Sequence, residues 1–581
     1  MTSAVPRAYR FGEFTLDLDG HRLVSGRGDI PLQPKTFATL RCLVEGQGRL
    51  VTKRELHDRV WGDIAVTDSA LSRCIVEVRK ALGDAAGQPR YLQTVPRLGY
   101  RFIGRVEALD SVSPAPLLTA AGSRRRSLVV LPFVNLSGDA EQEYFTDGFT
   151  DLLIADLGRI SELSVISRTS AMCYRASPKP LPEIAVELGV DVAIEGSVLR
   201  AGNRVRITVQ LIDARRDVHL WADSYERDLH DILRLQREVA RDVAGAIRVA
   251  LRPADWTRLD SVRSVDPEAH EAYLKACYFW HKRTAADIGR SVEYYGRAIA
   301  CDPLYARAYA GLAQASGVAG FFGYVPPSQA FARMKADATT ALSLEPNLAE
   351  AHACLAAVHL FYEWDWQAAT ERFLRALDEN ASHPVTHEWY GWCLLVLGRT
   401  GEALAAIGRA RQLDPLSARA HVAVGMALYF AREHGRAIEY LELALELDPR
   451  FPDAHCGLGL NYHALGRGDQ ALAEFQEAVT LSARSPEQLA SLGFACGSAG
   501  RTDDAQALLA ELEARAAHSY VPAVYFAAIH AGLGKTEDAC DWLERAFAER
   551  SSWLVFLRIE PWWDRLRTHP RFTDLVRRMR L

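Results

Sequence analysis

The chain has 581 residues, 49% of them apolar and 24% charged, with ten cysteines and a formal net charge of −5. That length is too great for one core and points to about three to five domains. No apolar run nears the roughly 18 residues that cross a bilayer; the best candidate, Leu128–Val134, is short and contains Pro132.

The N-terminal stretch MTSAVPRAYRFGEF lacks the apolar core of an export signal. The cysteines stand singly, with no Cys-x-x-Cys pair and no Cys/His cluster at zinc spacing. They read as reduced, buried small hydrophobes, and the location expected is cytoplasmic. Charge is uneven. Residues 1–107 carry 17 Lys and Arg against 12 Asp and Glu, a net +5, which leaves −10 on the rest. A basic head on an acidic body puts a polyanion partner at the head.

In chain order, Phe11–Leu18 and Arg22–Ile30 read as two strands about Asp19-Gly20, a dipeptide suited to a tight type I′ turn. Pro34 opens a helix with Phe37, Leu40, Leu43 and Val44 on one face and Gly46 at its end. Thr52-Lys53-Arg54-Glu55 spells a capping box, with Val51 and Leu56 set for a hydrophobic staple, and its helix runs to Trp61-Gly62. The stretch Thr67–Phe102 then predicts a third helix and a hairpin. Leu71, Ile75, Val78 and Leu82 stack on one stripe of that helix, while Ser69, Arg73, Val76 and Lys80 fall opposite. Ser69, Ser72 and Arg73 sit near its start, where a helix lying in a major groove presents base-reading side chains. Thr94 lies on the hairpin YLQTVPRLGYRF, and Arg97 and Arg101 flank its Pro96–Gly99 turn as a basic tip. Helix plus basic hairpin is the plan of a winged helix-turn-helix, so the reading is a DNA-binding regulator with double-stranded DNA as partner.

This order, together with DSALSRCIVEVRKALGD and YLQTVPRLGYRF, resembles the OmpR-type winged helix and within it the CadC/ToxR/HilA-like group. The resemblance covers about the first hundred residues. It departs from the family twice. The winged helix begins near residue 9 with no receiver domain before it, which leaves aspartate phosphorelay unsupported. A Pro-containing linker, Glu107–Ser127 with the run Arg124–Arg126, stands where the membrane-bound relatives have a transmembrane helix.

From Leu128 the pattern is mixed α/β. LVVLPF and LSVISR read as strands, Phe145, Phe149, Leu152, Leu153 and Leu157 as one helix face, and Ile184, Val186 and Leu188 as a short helix ended by Gly189. VDVAIEGSVLR and RVRITVQLID form a hairpin about Ala201-Gly202-Asn203. Val205, Ile207, Val209 and Leu211 face one way in it, and Arg204, Arg206, Thr208 and Gln210 the other. A helix within 229–251 closes the unit. LPFVNLSGD, YFTDGFTDLL, IEGSVLRAGNRVRITVQLID and LWADSYERDL resemble the TolB-like N-terminal domain. Ser137-Gly138-Asp139 lacks the Gly-Lys-Ser/Thr of a phosphate loop, so the unit reads as a folded spacer or dimerisation module.

The last half repeats. Trp364, Gly398, Arg432, Gly466, Gly500 and Gly534 lie 34 apart, and Ala403, Ala437, Ala471, Ala505 and Ala539 follow at the same period. Thirty-four is the tetratricopeptide period. About eight units run from Asp266 to Ser551, the second with an insertion at Gly317–Pro327, and the end reads as a capping helix. His352, His387, His421 and His455 are one repeat position recurring, and so inter-helix packing, not a metal cluster. The family's concave positions map onto Trp392, Leu395, Val422, Met426, Tyr429, Leu460 and Phe494, a groove for a peptide or protein partner or for an adjacent part of the same chain.

The architecture expected is a winged helix-turn-helix (1–107), a linker (108–127), an α/β TolB-like domain (128–252), an all-α tetratricopeptide solenoid (266–551) and a capping helix (552–581). No catalytic constellation, metal motif or cofactor loop stands out. The function expected is a one-component transcription regulator with a homodimer through the later domains and no membrane; the alternative is a signalling scaffold that has lost DNA binding.

Overall fold

The computed structural model describes residues 8–12, 14–17, 22–25, 28–30, 32, 34–46, 48–61, 68–84, 89–95, 98–104, 106–109, 125–139, 142–175, 177, 179–228, 231–247, 265–282 and 285–581. The chain divides into two compact units, Met1–Ala121 and Gly122–Leu581. The Asp19-Gly20 turn, Arg97 and most of the expected linker lie outside the described residues.

The first unit opens with an antiparallel sheet, β1 (Ala8–Phe11), β2 (Phe14–Asp17), β3 (Arg22–Ser25) and β4 (Gly28–Ile30). Two long strands were expected here. Instead the first is broken at Gly12, whose φ of +56° turns the chain so that Phe11 pairs with Phe14. Helices α1 (Pro34–Glu45), α2 (Lys53–Trp61) and α3 (Asp68–Leu82) follow, with β5 (Leu50–Thr52) between the first two. β6 (Leu92–Val95) and β7 (Gly99–Phe102) form the hairpin. β5 joins it to make a three-stranded sheet in the order β5-β7-β6. β8 (Glu107–Leu109) pairs with β1, Ala8 opposite Leu109, so the first sheet reaches past residue 107.

The stripe expected on α3 is inside: Leu71, Ile75, Val78 and Leu82 are all buried. They pack with Leu40, Leu43 and Val44 of α1 and with the ring cluster Phe11, Phe14, Tyr91 and Phe102. The capping box forms only by half. The Glu55 N–H donates to Thr52 Oγ1 at 3.1 Å, but the Glu55 carboxylate turns to Arg49 at 2.6 and 2.8 Å.

The second unit begins with a mixed sheet of β9 (Arg126–Val130), β10 (Val134–Asn135), β11 (Leu163–Val165), β12 (Val192–Ala201), β13 (Arg204–Asp213) and β14 (Val218–Asp228). β9 runs parallel to β11 and β12, and β12-β13-β14 is an antiparallel meander. β9 starts inside the stretch expected as linker. α4 (Glu143–Gly158) and α7 (Ile232–Ala246) cover one face of the sheet with Phe145, Phe149, Leu235 and Val239. α5 (Arg168–Met172) and α6 (Leu181–Leu188) cover the other with Ala171, Leu181 and Ile184. In β13 the expected alternation places Val205, Ile207, Val209 and Leu211 in the core. Val186 of α6 faces solvent, and Ala185 takes the buried place.

Among the described residues, eight helix pairs follow, from Pro267–Lys282 with Ala285–Cys301 to Ala523–Gly532 with Thr536–Ala548. All six turn residues spaced by 34 adopt left-handed φ, from 56° at Trp364 to 77° at Gly398. Glycine reaches that region without strain; Trp364 and Arg432 cost about 1–3 kcal/mol each unless compensated. The insertion lengthens the second repeat: its first part extends helix Ala306–Phe321, with Gly317 and Gly320 lying where a Cβ would meet Met334 and Ala330, and 322–326 form the turn that follows. Residues 552–581 are not one capping helix. Pro561 and Pro570 divide them into two 3-10 turns, Ser552–Phe556 and Pro561–Leu566, and a short helix, Pro570–Arg578.

The α/β layer is joined to the repeats by polar contacts. Arg307 meets Asp156 at 2.6 Å with both side chains buried, Arg159 meets Glu345 at 3.1 Å, and the Ser167 N–H donates to Leu413 O at 2.7 Å. Burial works to raise the Asp156 carboxyl, but Arg307, Arg159 and Arg237 outweigh it and hold the group below the usual carboxylate range. Eight of the ten cysteines are buried; Cys173 and Cys301 are at the surface.

Candidate nucleic-acid interface and repeat groove

Because α3 buries one stripe, its opposite side is left to solvent. Val76 is 65% exposed there, and Lys80 is exposed one turn further on. Ser69, Ser72 and Arg73 lie on the first half of α3, and their side chains are outside the described residues. The hairpin is braced against this helix by a residue the sequence reading passed over. Arg79 Nη2 donates to Leu92 O at 3.1 Å and to Thr94 Oγ1 at 2.8 Å. At the helix end, the buried Asp84 carboxylate accepts the backbone N–H groups of Arg90, Tyr91 and Leu92 at 2.6, 3.2 and 2.7 Å. The signal that could have found them is a cation and an anion on either side of Gly83, where α3 ends ahead of the hairpin strand Leu92–Val95.

β5 explains the hairpin's shape. A Cβ on Gly99 would lie 2.1 Å from Val51 O, so only glycine lets β7 approach β5 this closely. The Lys53 N–H donates to Leu98 O at 3.2 Å and fastens α2 to the turn. Arg101 stands between Leu50 and Gln93 across the sheet and is exposed. Lys80 and Arg101 have no side-chain partner among the described residues. Such free cations are what phosphate oxygens pair with.

On the concave side of the repeats, the positions expected to meet a partner or an adjacent part of the same chain meet the latter. Tyr429, Leu395, Leu460, Phe494 and Val422 are buried, and Trp392 and Met426 are half-buried. The covering chain is the protein's own segment 552–566. Phe556 stacks on Phe430 at 5.0 Å and meets Trp392 edge-on at 6.0 Å, and Trp562 stacks on Phe494 at 5.2 Å. Tyr429 Oη donates to Glu560 Oε1 at 2.6 Å, and Arg432 forks onto Asp564 at 2.8 and 3.0 Å. Trp364 packs on Phe547 at 5.1 Å under the Arg550 guanidinium. The two non-glycine turn residues are thus both used to hold the C-terminal part of the chain. The recurring histidines bond to nearby carbonyls: His352 Nε2 to Pro346 O at 2.9 Å, His387 Nε2 to Ala381 O at 3.0 Å, His455 Nε2 to Pro449 O at 3.4 Å and His421 Nδ1 to Ser417 O at 3.1 Å.

Residues 27–102 match the family described as "Transcriptional regulatory protein, C terminal". Residues 354–418, 391–449 and 422–486 match "Tetratricopeptide repeat". The putative adenylate cyclase 3 of Rhizobium meliloti (strain 1021) is 39% identical over 202 residues, 35% of this chain and 34% of that protein, so the chain spans about a third of its length. The transcriptional regulator HilA of Salmonella typhi is 25% identical over 422 residues, 72% of each chain. The cholera toxin homolog transcriptional activator of Vibrio parahaemolyticus serotype O3:K6 (strain RIMD 2210633) is 34% identical over 105 residues, 17% of this chain and 36% of that one. The chain therefore carries the OmpR-type DNA-binding domain of transcription regulators together with tetratricopeptide repeats. HilA-like and ToxR-like regulators are among its relatives. Among the described residues, no helix is long and apolar enough to cross a membrane.

Proposed function

We propose a one-component, cytoplasmic regulator in which α3 reads base edges with Ser69, Ser72, Arg73 and Val76. Lys80, Thr94, Arg97 and Arg101 anchor the unit to phosphates. The observation that carries this reading is the outward side of α3, where exposed Val76 and Lys80 stand opposite a buried stripe and Arg79 braces the helix to the hairpin. Val76 suits a thymine methyl, and a guanidinium at Arg73 suits guanine O6 and N7. The α/β layer is read as TolB-like on its sequence motifs and as a non-enzymatic part of the receiving half. Protein or peptide partners and a homodimer are assigned to this second unit. A partner using the repeats has to displace segment 552–566 or bind elsewhere than on Tyr429 and Phe494.

Selection from randomised duplexes with the full-length protein should enrich one motif. On that motif Arg73→Ala and Ser69→Ala should relax preference, each lost base contact costing about 1–3 kcal/mol. Arg101→Ala should weaken binding to every sequence alike and reduce the salt slope by about 1. Enrichment of no motif, with Arg73→Ala indistinguishable from the parent, overturns the assignment.

A further inference from the structure

The inner side of the repeats, the α/β layer and segment 552–566 enclose a cavity of about 870 Å³. One corner of it is made by the first turns of two successive repeat helices, Pro452–Ala464 and Pro486–Ser498. Asp453 and Glu487 occupy the same repeat position there, 34 residues apart, and both line the cavity. Beside them, Gln488 Nε2 donates to Asp453 Oδ1 at 3.4 Å. Gln488 is only 2% exposed, yet its Oε1 has no hydrogen-bond partner among the described residues.

Two carboxyl groups and a side chain with an orphaned amide oxygen therefore line one corner of the cavity, and ionised they offer acceptors only. The cation of the preceding repeat answers them in part, drawing Asp453 down against burial without reaching Glu487. Arg419 sits at the equivalent position, but its guanidinium donates to Glu388 at 2.7 Å. Burial raises the carboxyls of Asp453 and Glu487, and the charge of Asp453 helps push Glu487 up to about 8. A proton is one way to settle such a pair; a ligand bearing N–H donors and positive charge is another. Metal ions fit poorly, since no group of three or more His, Cys, Asp or Glu among the described residues could hold one. The surrounding wall is aromatic, with Tyr324, Tyr525 and Trp553. Ring faces add attraction for a cation with an apolar body.

We propose that Asp453, Glu487 and Gln488 form the polar end of a binding site for a small organic ammonium or guanidinium compound whose apolar part lies among the aromatic rings of the cavity. This goes beyond DNA reading and does not depend on it, because binding is measured without DNA. It gives the second unit a ligand class of its own.

The test uses the full-length protein with phenethylammonium and benzamidinium chloride as probes, and phenylacetate and benzyl alcohol as controls. At least one cation should bind saturably by calorimetry and raise the melting temperature, and neither control should do so. Asp453→Asn and Glu487→Gln should each weaken that binding about tenfold or more, as loss of a charged hydrogen bond does. Glu487→Gln should not lower the melting temperature without ligand, because it keeps the neutral form that burial and Asp453 favour. A second measurement needs no variant. In buffers of different ionisation heat at pH 7, cation binding should release protons from the carboxyl pair. Absence of saturable binding by both cations, equal binding by the Asp453→Asn/Glu487→Gln double variant, or binding with no proton release overturns the proposal.

Discussion

At Glu560 a single carboxyl group helps set how firmly segment 552–566 is held. Burial pushes its pKa up to about 7, while the Tyr429 hydroxyl, the Trp562 N–H and Arg432 pull the other way. An unfolded glutamate titrates near about 4.3. The folded chain therefore keeps a proton that the unfolded chain has lost across the interval between those values. Stability from this group is complete below about pH 4.3, declines as pH rises toward 7, and is flat above. Glu560→Gln keeps an acceptor for Tyr429 without the charge. Its stability should exceed the parent's at pH 8 by on the order of 1–3 kcal/mol, read as a higher melting temperature, and the gap should close by pH 4.5. A gap that stays constant over that range removes the argument, since all other groups titrate alike in both proteins. Residues such as Tyr429 and Phe494 were legible as concave positions because the repeat period indexes them. Glu560 was not, because nothing local in IEPWWDRL says that its carboxyl will be buried under a tyrosine from another repeat.

The elements differ in how openly their sequence declares them. Helix α3 buries one stripe only, so Leu71, Ile75, Val78 and Leu82 mark it at 3.6 spacing. The repeat helices declare themselves through Gly398, Gly466, Gly500 and Gly534, whose left-handed φ favours glycine at the turn. The division of the N-terminal strands at Gly12 was hidden because Gly-Glu between aromatic residues fits a continuous strand as well as a turn. Segment 552–566 was hidden for a different reason. Its aromatic residues pack onto several repeats, so no single periodicity emerges, and the prolines read as helix starts. Its hold on the repeats can be measured. Phe556 is buried and stacked on Phe430, so Phe556→Ala should destabilise the second unit by about 3–5 kcal/mol and speed proteolysis near residue 552. The same substitution should leave the melting of the first unit unchanged. If Phe556→Ala melts with the parent, the segment is not a structural part of the repeat array.

On the scale of the whole molecule, the division into a basic head and an acidic body was legible from charge alone, and contact density divides the chain near the same place. The edge of the head was not, because β8 at Glu107–Leu109 belongs to the first sheet and pairs with β1 through only three residues. Three residues without strong apolar alternation look like linker. A head cut at residue 106 loses that strand and leaves the backbone edge of β1 at Ala8, Tyr9 and Arg10 unpaired, whereas one cut at residue 121 keeps the sheet intact. The 1–121 fragment should therefore fold and bind DNA, and the 1–106 fragment should melt lower. The two lengths together ask what the second unit contributes. If that unit pairs two chains, full-length protein should bind a duplex with two half-sites far more tightly than one half-site, because the second head arrives at a high effective concentration. The 1–121 fragment should show much less of that gain. Mobility shifts of both proteins on both duplexes decide the matter. Equal gains for fragment and full-length protein would mean that the heads pair on DNA by themselves, leaving the repeats to receive a ligand or partner without setting the spacing of the reading heads.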